Sequence, residues 1–318
     1  MDNDTYSVNV DSIETLSSTN TLDTIGKDDI NINNFIESSS ETIDDYSFYE
    51  NDNDPYSIEN FAQYTLDKWY KLVKDHEIIN LKGEKYNCYK KTWLFHFSKL
   101  EILYYKRSNI LPKTITRRLH RILDQDKDYF FKLSNRSPKD ILEYKGEYKI
   151  NDDEHRTIKV EKKLKQLEIL RVNKIDQINM LLRSSKRTRE DMKLFFADKT
   201  NKNKLYLVFQ EWAPNLGIST EYRCYIKNNK LIGISLYKPE YYSTRTIIPY
   251  EIIDFFVTQI IDLFKQIDLF TYVVDVYILN NDQYNVYLIE INPFDEHTDT
   301  FSFDFDTIYN SDTLLITL

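Results

Sequence analysis

The sequence predicts an α+β fold with antiparallel sheets. Two hairpins carry the prediction: Glu221–Ile226 with Leu231–Tyr237 around Asn228-Asn229, and Tyr272–Leu279 with Tyr284–Ile291 around Asn280–Gln283. Helical and strand-like segments follow one another without the regular alternation of a parallel sheet. A long apolar helix lies between the two hairpins, running from Pro249 through Ile252, Ile253, Phe256, Ile260, Phe264 and Ile267.

The chain of 318 residues is long enough for one large domain or two modest ones. Its net charge of −9 is unevenly spread. Residues 1–55 hold 14 acidic residues against the single base Lys27, a balance of −13, so the remainder carries +4. That segment is rich in Asp, Asn, Ser and Thr, with apolar residues at no sustained period. It is expected to be a disordered acidic tail, because it cannot bury enough surface to offset the entropy of ordering. A solvating tail is the plain reading, and an acidic docking arm for a basic partner the sharper one.

Two cysteines, Cys88 and Cys224, give neither a disulfide framework nor a zinc site. The acidic, polar start is unlike a signal peptide, and no apolar run approaches the roughly 18 residues needed to span a membrane. A soluble protein of a reducing compartment is expected.

The ordered chain is expected to begin near Pro55, with Ile58, Phe61, Leu66, Trp69, Tyr70 and Val73 on one helical face. Residues 92–97 read as a short buried strand. Leu111-Pro112 opens a helix with Ile115, Leu119, Ile122 and Leu123 on one side and Arg117, Arg118 and Arg121 on the other. A solvated face explains those arginines more simply than nucleic-acid binding. Residues 128–133 form a strand interrupted by Lys132. Residues 143–172 are highly charged and read as an insertion, a loop followed by an exposed helix. Helical spacing returns at Ile175, Ile178, Leu181 and Leu182, followed by the basic stretch Arg183–Arg189, read as a solvated helix end. Lys204–Phe209 is a strand closed by Glu211-Trp212-Ala213-Pro214. The expected division is an N-terminal lobe over 56–200 and a C-terminal lobe over 201–318.

The last hairpin carries the most chemical information. Asp275 interrupts an apolar run, and Glu290 and Asn292 share one face of the following strand. Pairing Leu279 with Tyr284 sets Asp275 opposite Leu288 and makes Glu290 its diagonal neighbour on the same face, at roughly 7–8 Å. Two carboxylates directed into such apolar strands repel and lose hydration unless a cation or a base pairs them. Mg²⁺ suits a few carboxylate or amide oxygens together with phosphate oxygens. A solvent-facing acidic pair is the plain alternative. Lys132, in Phe130-Phe131-Lys132-Leu133, either snorkels to water or directs its ammonium at a phosphate. Arg223 shares a strand face with Glu221 and Tyr225 and needs an anionic partner. Spacing leaves open whether that partner is a carboxylate or a phosphate. No glycine-rich phosphate loop and no clustered histidines are present, which argues against Walker, Rossmann and His-triad chemistry.

Taken together, these segments resemble the cell division cycle protein 123 family. Glu290-Ile291-Asn292-Pro293 looks like the acidic-x-Asn-Pro metal motif of ATP-grasp enzymes. The longer string Val286–Phe294 with Thr298-Asp299 is similar to the family's own signature. Tyr222-Arg223-Cys224-Tyr225 with Leu231–Ser235 matches its central hairpin, and Phe131-Lys132-Leu133 with Ser137-Pro138-Lys139-Asp140 its lysine segment. Leu181–Ser185 and Trp69-Tyr70 resemble its helices. The resemblance runs over about residues 58–300. It departs at Glu290, where the family usually has Asp, at Ser134-Asn135-Arg136, where the family has an Asn-Trp-Ser run, and in the extra residues 143–172.

The resemblance implies an ATP-grasp-like fold whose two α+β lobes clasp ATP. It places Lys132 and Arg223 at the phosphates, Gln210, Glu211 and Trp212 beside the adenine, and Asp275, Glu290 and Asn292 on Mg²⁺. It implies a Mg·ATP-binding chaperone that assembles eukaryotic translation initiation factor 2 by binding its gamma subunit. The expected protein is a cytoplasmic monomer with no direct nucleic-acid or membrane contact. An ATP-grasp ligase that forms an acylphosphate, and a non-catalytic adaptor that keeps the fold, are the alternatives.

Overall fold

A computed structural model describes residues 64–123, 127–142, 155–199, 203–213, 221–237, 250–279 and 284–317. The acidic segment 1–55, the expected helix start at Pro55–Phe61, the first part of the 143–172 insertion, Pro214, Pro249 and Asn280–Gln283 lie outside the described residues.

The described chain opens with helix α1 (Leu66–Val73), which buries Leu66, Trp69 and Val73 at helical spacing. A short hairpin follows, β1 (Glu77–Ile79) and β2 (Lys85–Asn87), and then strand β3 (Thr92–His96). Helix α2 (Lys99–Ser108) starts at a capping box, in which Ser98 and Glu101 satisfy each other's backbone N–H groups. Helix α3 (Lys113–Leu123) begins after Pro112 and buries Ile115, Leu119 and Ile122; Arg117, Arg118 and Arg121 are exposed, as the charge pattern predicts. Strand β4 (Tyr129–Leu133) carries Lys132. Helix α4 (Arg156–Glu168), strand β5 (Arg171–Val172) and helices α5 (Ile175–Ser184) and α6 (Lys186–Ala197) follow. The basic stretch at 183–189 is therefore a junction between two helices rather than one helix end. Ser185 breaks the run with an extended backbone and caps α6 through the N–H of Thr188.

Strand β6 (Tyr206–Glu211) lies between β3 and β4 in a four-stranded sheet of order β3-β6-β4-β5, all antiparallel. The expected boundary at 200/201 would have grouped it with the C-terminal lobe. Hydrogen bonding to β3 and β4 places it in the other sheet. One face of this sheet is aromatic: Phe95, Phe131 and Phe209 pack together, and the Tyr129 hydroxyl donates to the Ile122 carbonyl of α3 at 3.0 Å.

The second sheet has five strands in the order β10-β9-β7-β8-β11. Its members are β7 (Glu221–Lys227), β8 (Lys230–Leu236), β9 (Tyr272–Ile278), β10 (Val286–Asn292) and β11 (Leu315–Thr317). Asn228 and Asn229 join β7 to β8 with φ of 52° and 60°, the left-handed pair that a tight hairpin demands. Helix α7 (Tyr250–Phe264) covers one face, burying Ile252, Ile253, Phe256, Val257, Ile260, Ile261, Leu263 and Phe264. It stops at Phe264, where a 3-10 turn carries Lys265–Ile267. Helix α1, with Ile78, Cys88 and Tyr89, completes the same core. On the opposite side, helix α8 (Phe305–Tyr309) seats Ile308 against Tyr225, Ile232 and Val273. Among the described residues no helix is long and apolar enough to cross a membrane.

Candidate functional site

The final hairpin departs from the expected register. Val286, Tyr287 and Leu288 oppose Ile278, Tyr277 and Val276, and then the ladder slips by one residue, so that Glu290 stands directly opposite Asp275. A regular continuation would set Ile289 opposite Asp275 and turn Glu290 to the other face. The β-bulge at Ile289 is therefore what brings the two carboxylates together, as adjacent partners and not as diagonal neighbours.

Each carboxylate has a basic partner. Arg223 on β7 is the direct neighbour of Asp275 on β9. Its Nε donates to Asp275 Oδ1 and its Nη2 to Oδ2, both at 2.7 Å, with Asp275 2% exposed. The partner that spacing alone left open is thus a carboxylate, held bidentately. Asn292 Nδ2 adds a bond to Asp275 Oδ2 at 3.1 Å. Burial raises the Asp275 carboxyl above the usual carboxylate range, against the pull of Arg223.

Glu290 is held from the other sheet. Lys132 stands opposite Val208 on β6, is 6% exposed, and reaches across to donate to Glu290 Oε2 at 3.2 Å. Burial pushes Glu290 upward, but Lys132, Lys139 and Arg223 outweigh it and hold the carboxyl at about 2. Glu290 is an anion across any physiological pH, and its side chain remains about a quarter exposed.

Lys139 lies within electrostatic reach of this site, although the residue pattern alone did not single it out. It sits in a 3-10 turn (Lys139–Leu142), and its ammonium is held above its ordinary pKa by Tyr237, against burial, and by Glu290, Glu221 and Asp275. The next residue fixes that turn. Asp140 is 3% exposed and accepts from Ser185 Oγ at 2.5 Å and from the N–H groups of Lys186 and Arg187 at 2.7 and 3.1 Å. The carboxylate thereby satisfies the open N-terminus of α6. Its only sequence signal is the Ser137-Pro138-Lys139-Asp140 string.

The three adenine-side expectations separate. Gln210 pairs with Phe130 and Thr92, so it lies on the face of the four-stranded sheet that carries Lys132. Its Nε2 is buried without a hydrogen-bond partner. Glu211 points to the opposite face and pairs with Lys127 at 3.2 Å. Trp212 donates its backbone N–H to Asp128 and lies beneath Arg171, 5.8 Å from ring to guanidinium. The structure thus brings Lys132, Arg223, Asp275, Glu290 and Asn292 together, sets Gln210 on the same face, and leaves the side chains of Glu211 and Trp212 outside that cluster.

The donor set suits Mg²⁺: two carboxylates and a side-chain amide on neighbouring strands, oxygen ligands only, too few to enclose a cation without phosphate oxygens. Among the described residues there is no group of three or more His, Cys, Asp or Glu side chains that could hold a metal alone.

A D123 family model matches residues 163–314. A protein of Schizosaccharomyces pombe named translation initiation factor eIF2 assembly protein is 36% identical over 105 residues, covering 32% of this chain and 30% of that one. A protein of the same name from Vanderwaltozyma polyspora is 29% identical over 153 residues, 44% of this chain and 39% of that one. The matched segments thus span less than half of these relatives. The solved structure of Cdc123 from Schizosaccharomyces pombe superposes with a TM-score of 0.55 at 22% identity, covering 82% of this chain and 97% of that one. The α+β fold with antiparallel sheets expected from the sequence is borne out, and the chain shares the fold of that Cdc123 structure.

Proposed function

The chain belongs to the D123 family, and from that premise we propose that it is a Mg·ATP-binding chaperone for the assembly of eukaryotic translation initiation factor 2. The observation that carries this reading is the contact between Lys132 of one sheet and Glu290 of the other, beside the Arg223–Asp275 pair. A buried lysine and two opposed carboxylates meet where the two sheets meet, with Lys139 in electrostatic reach.

In this reading Glu290, Asp275 and the side-chain oxygen of Asn292 hold Mg²⁺, and Lys132, Lys139 and Arg223 meet phosphate oxygens. The cation, when bound, neutralises phosphate charge and ties the nucleotide to β9 and β10. Lys132, which here holds Glu290, would face a phosphate oxygen, and Glu290 would hold the metal. Arg223 makes three of its five possible N–H bonds to Asp275 and to the Asp299 carbonyl, leaving two for the nucleotide. The orphaned Nε2 of Gln210 supplies a donor on the Lys132 face for the base. Lys132 already ties the two sheets through Glu290, and a nucleotide held from both sheets would bias that junction and with it capture of the partner.

The partner in this reading is the gamma subunit of the factor, met in the cytoplasm; both named relatives are called assembly proteins of that factor. The test is capture of purified gamma subunit by the immobilised chain, with and without Mg·ATP. Capture that rises with Mg·ATP, and falls in an Asp275→Ala, Glu290→Ala variant, is expected. Capture indifferent to both would leave an adaptor; calorimetry showing no Mg·ATP binding would remove the nucleotide site.

A further inference from the structure

We propose that Phe301 is a positioning residue for Arg223, held in a strained backbone conformation so that its ring closes over the guanidinium; this rests on the reading of Arg223 as part of a nucleotide site. Phe301 has φ of 50°, in the left-handed region that a bulky side chain seldom occupies. Strain of this kind persists only where the surroundings over-determine it, and it gathers at functional sites. Here the surroundings do so. The N–H of Phe301 donates to Asp299 Oδ1 at 3.0 Å. The Thr300 carbonyl accepts from the Tyr225 hydroxyl at 2.8 Å and from the Phe303 N–H at 3.1 Å. Thr300 Oγ1 donates back to the Phe303 carbonyl at 2.7 Å. Three of these bonds close a five-residue turn on itself, and the fourth, from Tyr225, ties it to β7 two residues from Arg223.

What this geometry achieves is visible at the guanidinium. The Phe301 ring centre lies 4.6 Å from it and the Tyr237 ring centre 5.5 Å, and the two rings meet edge to face at 4.7 Å. The same turn presents the Asp299 carbonyl to Arg223 Nη1 at 2.7 Å. Arg223 is therefore fixed along its edges by Asp275 and Asp299 and packed by aromatic rings, which restricts the direction of its two remaining N–H groups. The strain is confined to the one residue that carries the covering ring. Glycine or asparagine would suit this backbone better and would leave the guanidinium uncovered.

The test is a substitution series at one position, read three ways. Phe301→Gly and Phe301→Asn relieve the backbone and remove the ring; Phe301→Tyr keeps the ring. The first two are expected to melt at or above the wild-type temperature yet bind Mg·ATP roughly five- to tenfold more weakly, the range of a lost cation–π contact. Phe301→Tyr is expected to bind within about twofold of wild type. The third reading needs no nucleotide: the Arg223 side-chain N–H signals in ¹⁵N-arginine-labelled protein should be shifted by ring currents and slow to exchange in wild type and Phe301→Tyr, and lose both properties in the other two. Wild-type-like Arg223 signals in Phe301→Gly would overturn the proposal whether or not the chain binds ATP. So would a drop in melting temperature with unchanged affinity, which is the signature of packing alone. Absence of Mg·ATP binding by the wild type, with the Arg223 signals behaving as expected, would remove the nucleotide reading and leave the positioning intact.

Discussion

Arg223 and Asp275 oppose each other on neighbouring strands, and the guanidinium takes both carboxylate oxygens at 2.7 Å in a setting where neither side chain is more than a tenth exposed. Removing one partner strands the other charge in the sheet. Arg223→Met is expected to destabilise the chain by about 3–5 kcal/mol, whereas the double change Arg223→Met with Asp275→Leu should recover most of that. Urea unfolding of the two single variants and the double variant measures the coupling, and additive losses would contradict it.

Glu290 offers a pH signature. Its carboxyl is held at about 2, below the ordinary range, so its pairing contributes stability that is complete above the unfolded value near 4.5. That contribution fades as pH falls from about 4.5 toward 2. The stability gap between wild type and Glu290→Gln should therefore be widest near neutrality, on the order of 3 kcal/mol at most, and should narrow through this acid window. Asp275, whose carboxyl is raised by burial and in part by Glu290 itself, acts in the opposite sense and trims the gap near neutrality. A gap unchanged between pH 6 and pH 3 would refute the assignment.

Lys132 joins the two sheets and faces Glu290. Lys132→Met is expected to lower Mg·ATP affinity at least about tenfold, the effect of one lost charge-assisted contact of 1.5–3 kcal/mol. Titration calorimetry beside a thermal melt separates loss of binding from loss of fold.

Asp140 holds the start of α6 and, through the chain, Lys139. Asp140→Ala should destabilise by about 2 kcal/mol, because a buried cap and three bonds are lost together. It should also weaken Mg·ATP binding although Asp140 takes no part in the proposed site. Denaturation and calorimetry on the same preparation test both halves.

Gly233 packs so closely on α8 that an added Cβ would lie 2.3 Å from Ile308 Cδ1 and 3.2 Å from Tyr225 Cδ2. Gly233→Ala is expected to cost about 1–3 kcal/mol. Ile308→Ala alone should cost about 2–5 kcal/mol by leaving a cavity. Because the new methyl enters that cavity, the double variant should be more stable than the two separate losses imply, which a denaturation cycle reads directly.

The linear pattern of side chains carried much of the local architecture and the chemistry-bearing residues other than Lys139. Alternation and turn residues set the two hairpins, because period-two burial and a left-handed Asn pair are local properties of the chain. Helical spacing set α1, α3, α5 and α7 for the same reason. An acid inside an apolar strand marked Asp275, since such a group must find a partner somewhere. The identity of that partner was not local. Arg223 stands 52 positions from Asp275, and Lys132 stands 158 from Glu290. Only strand order and the meeting of two sheets select these pairs from all other charged residues.

The tertiary structure also decided three finer matters. It slipped the last hairpin by one residue at Ile289, a bulge that no turn or periodicity signals and that faces Glu290 to Asp275. It drew β6 into the four-stranded sheet, so that Gln210 shares a face with Lys132 while Glu211 turns away. And it forced Phe301 into a backbone conformation that its own side chain disfavours. Local preference is a property of a few neighbouring residues, and it can be overridden wherever hydrogen bonds and packing from distant segments contribute more. This is why the kinds of residue at the site were legible in the sequence, whereas their pairing, their facing and the strain around them came from the folded chain.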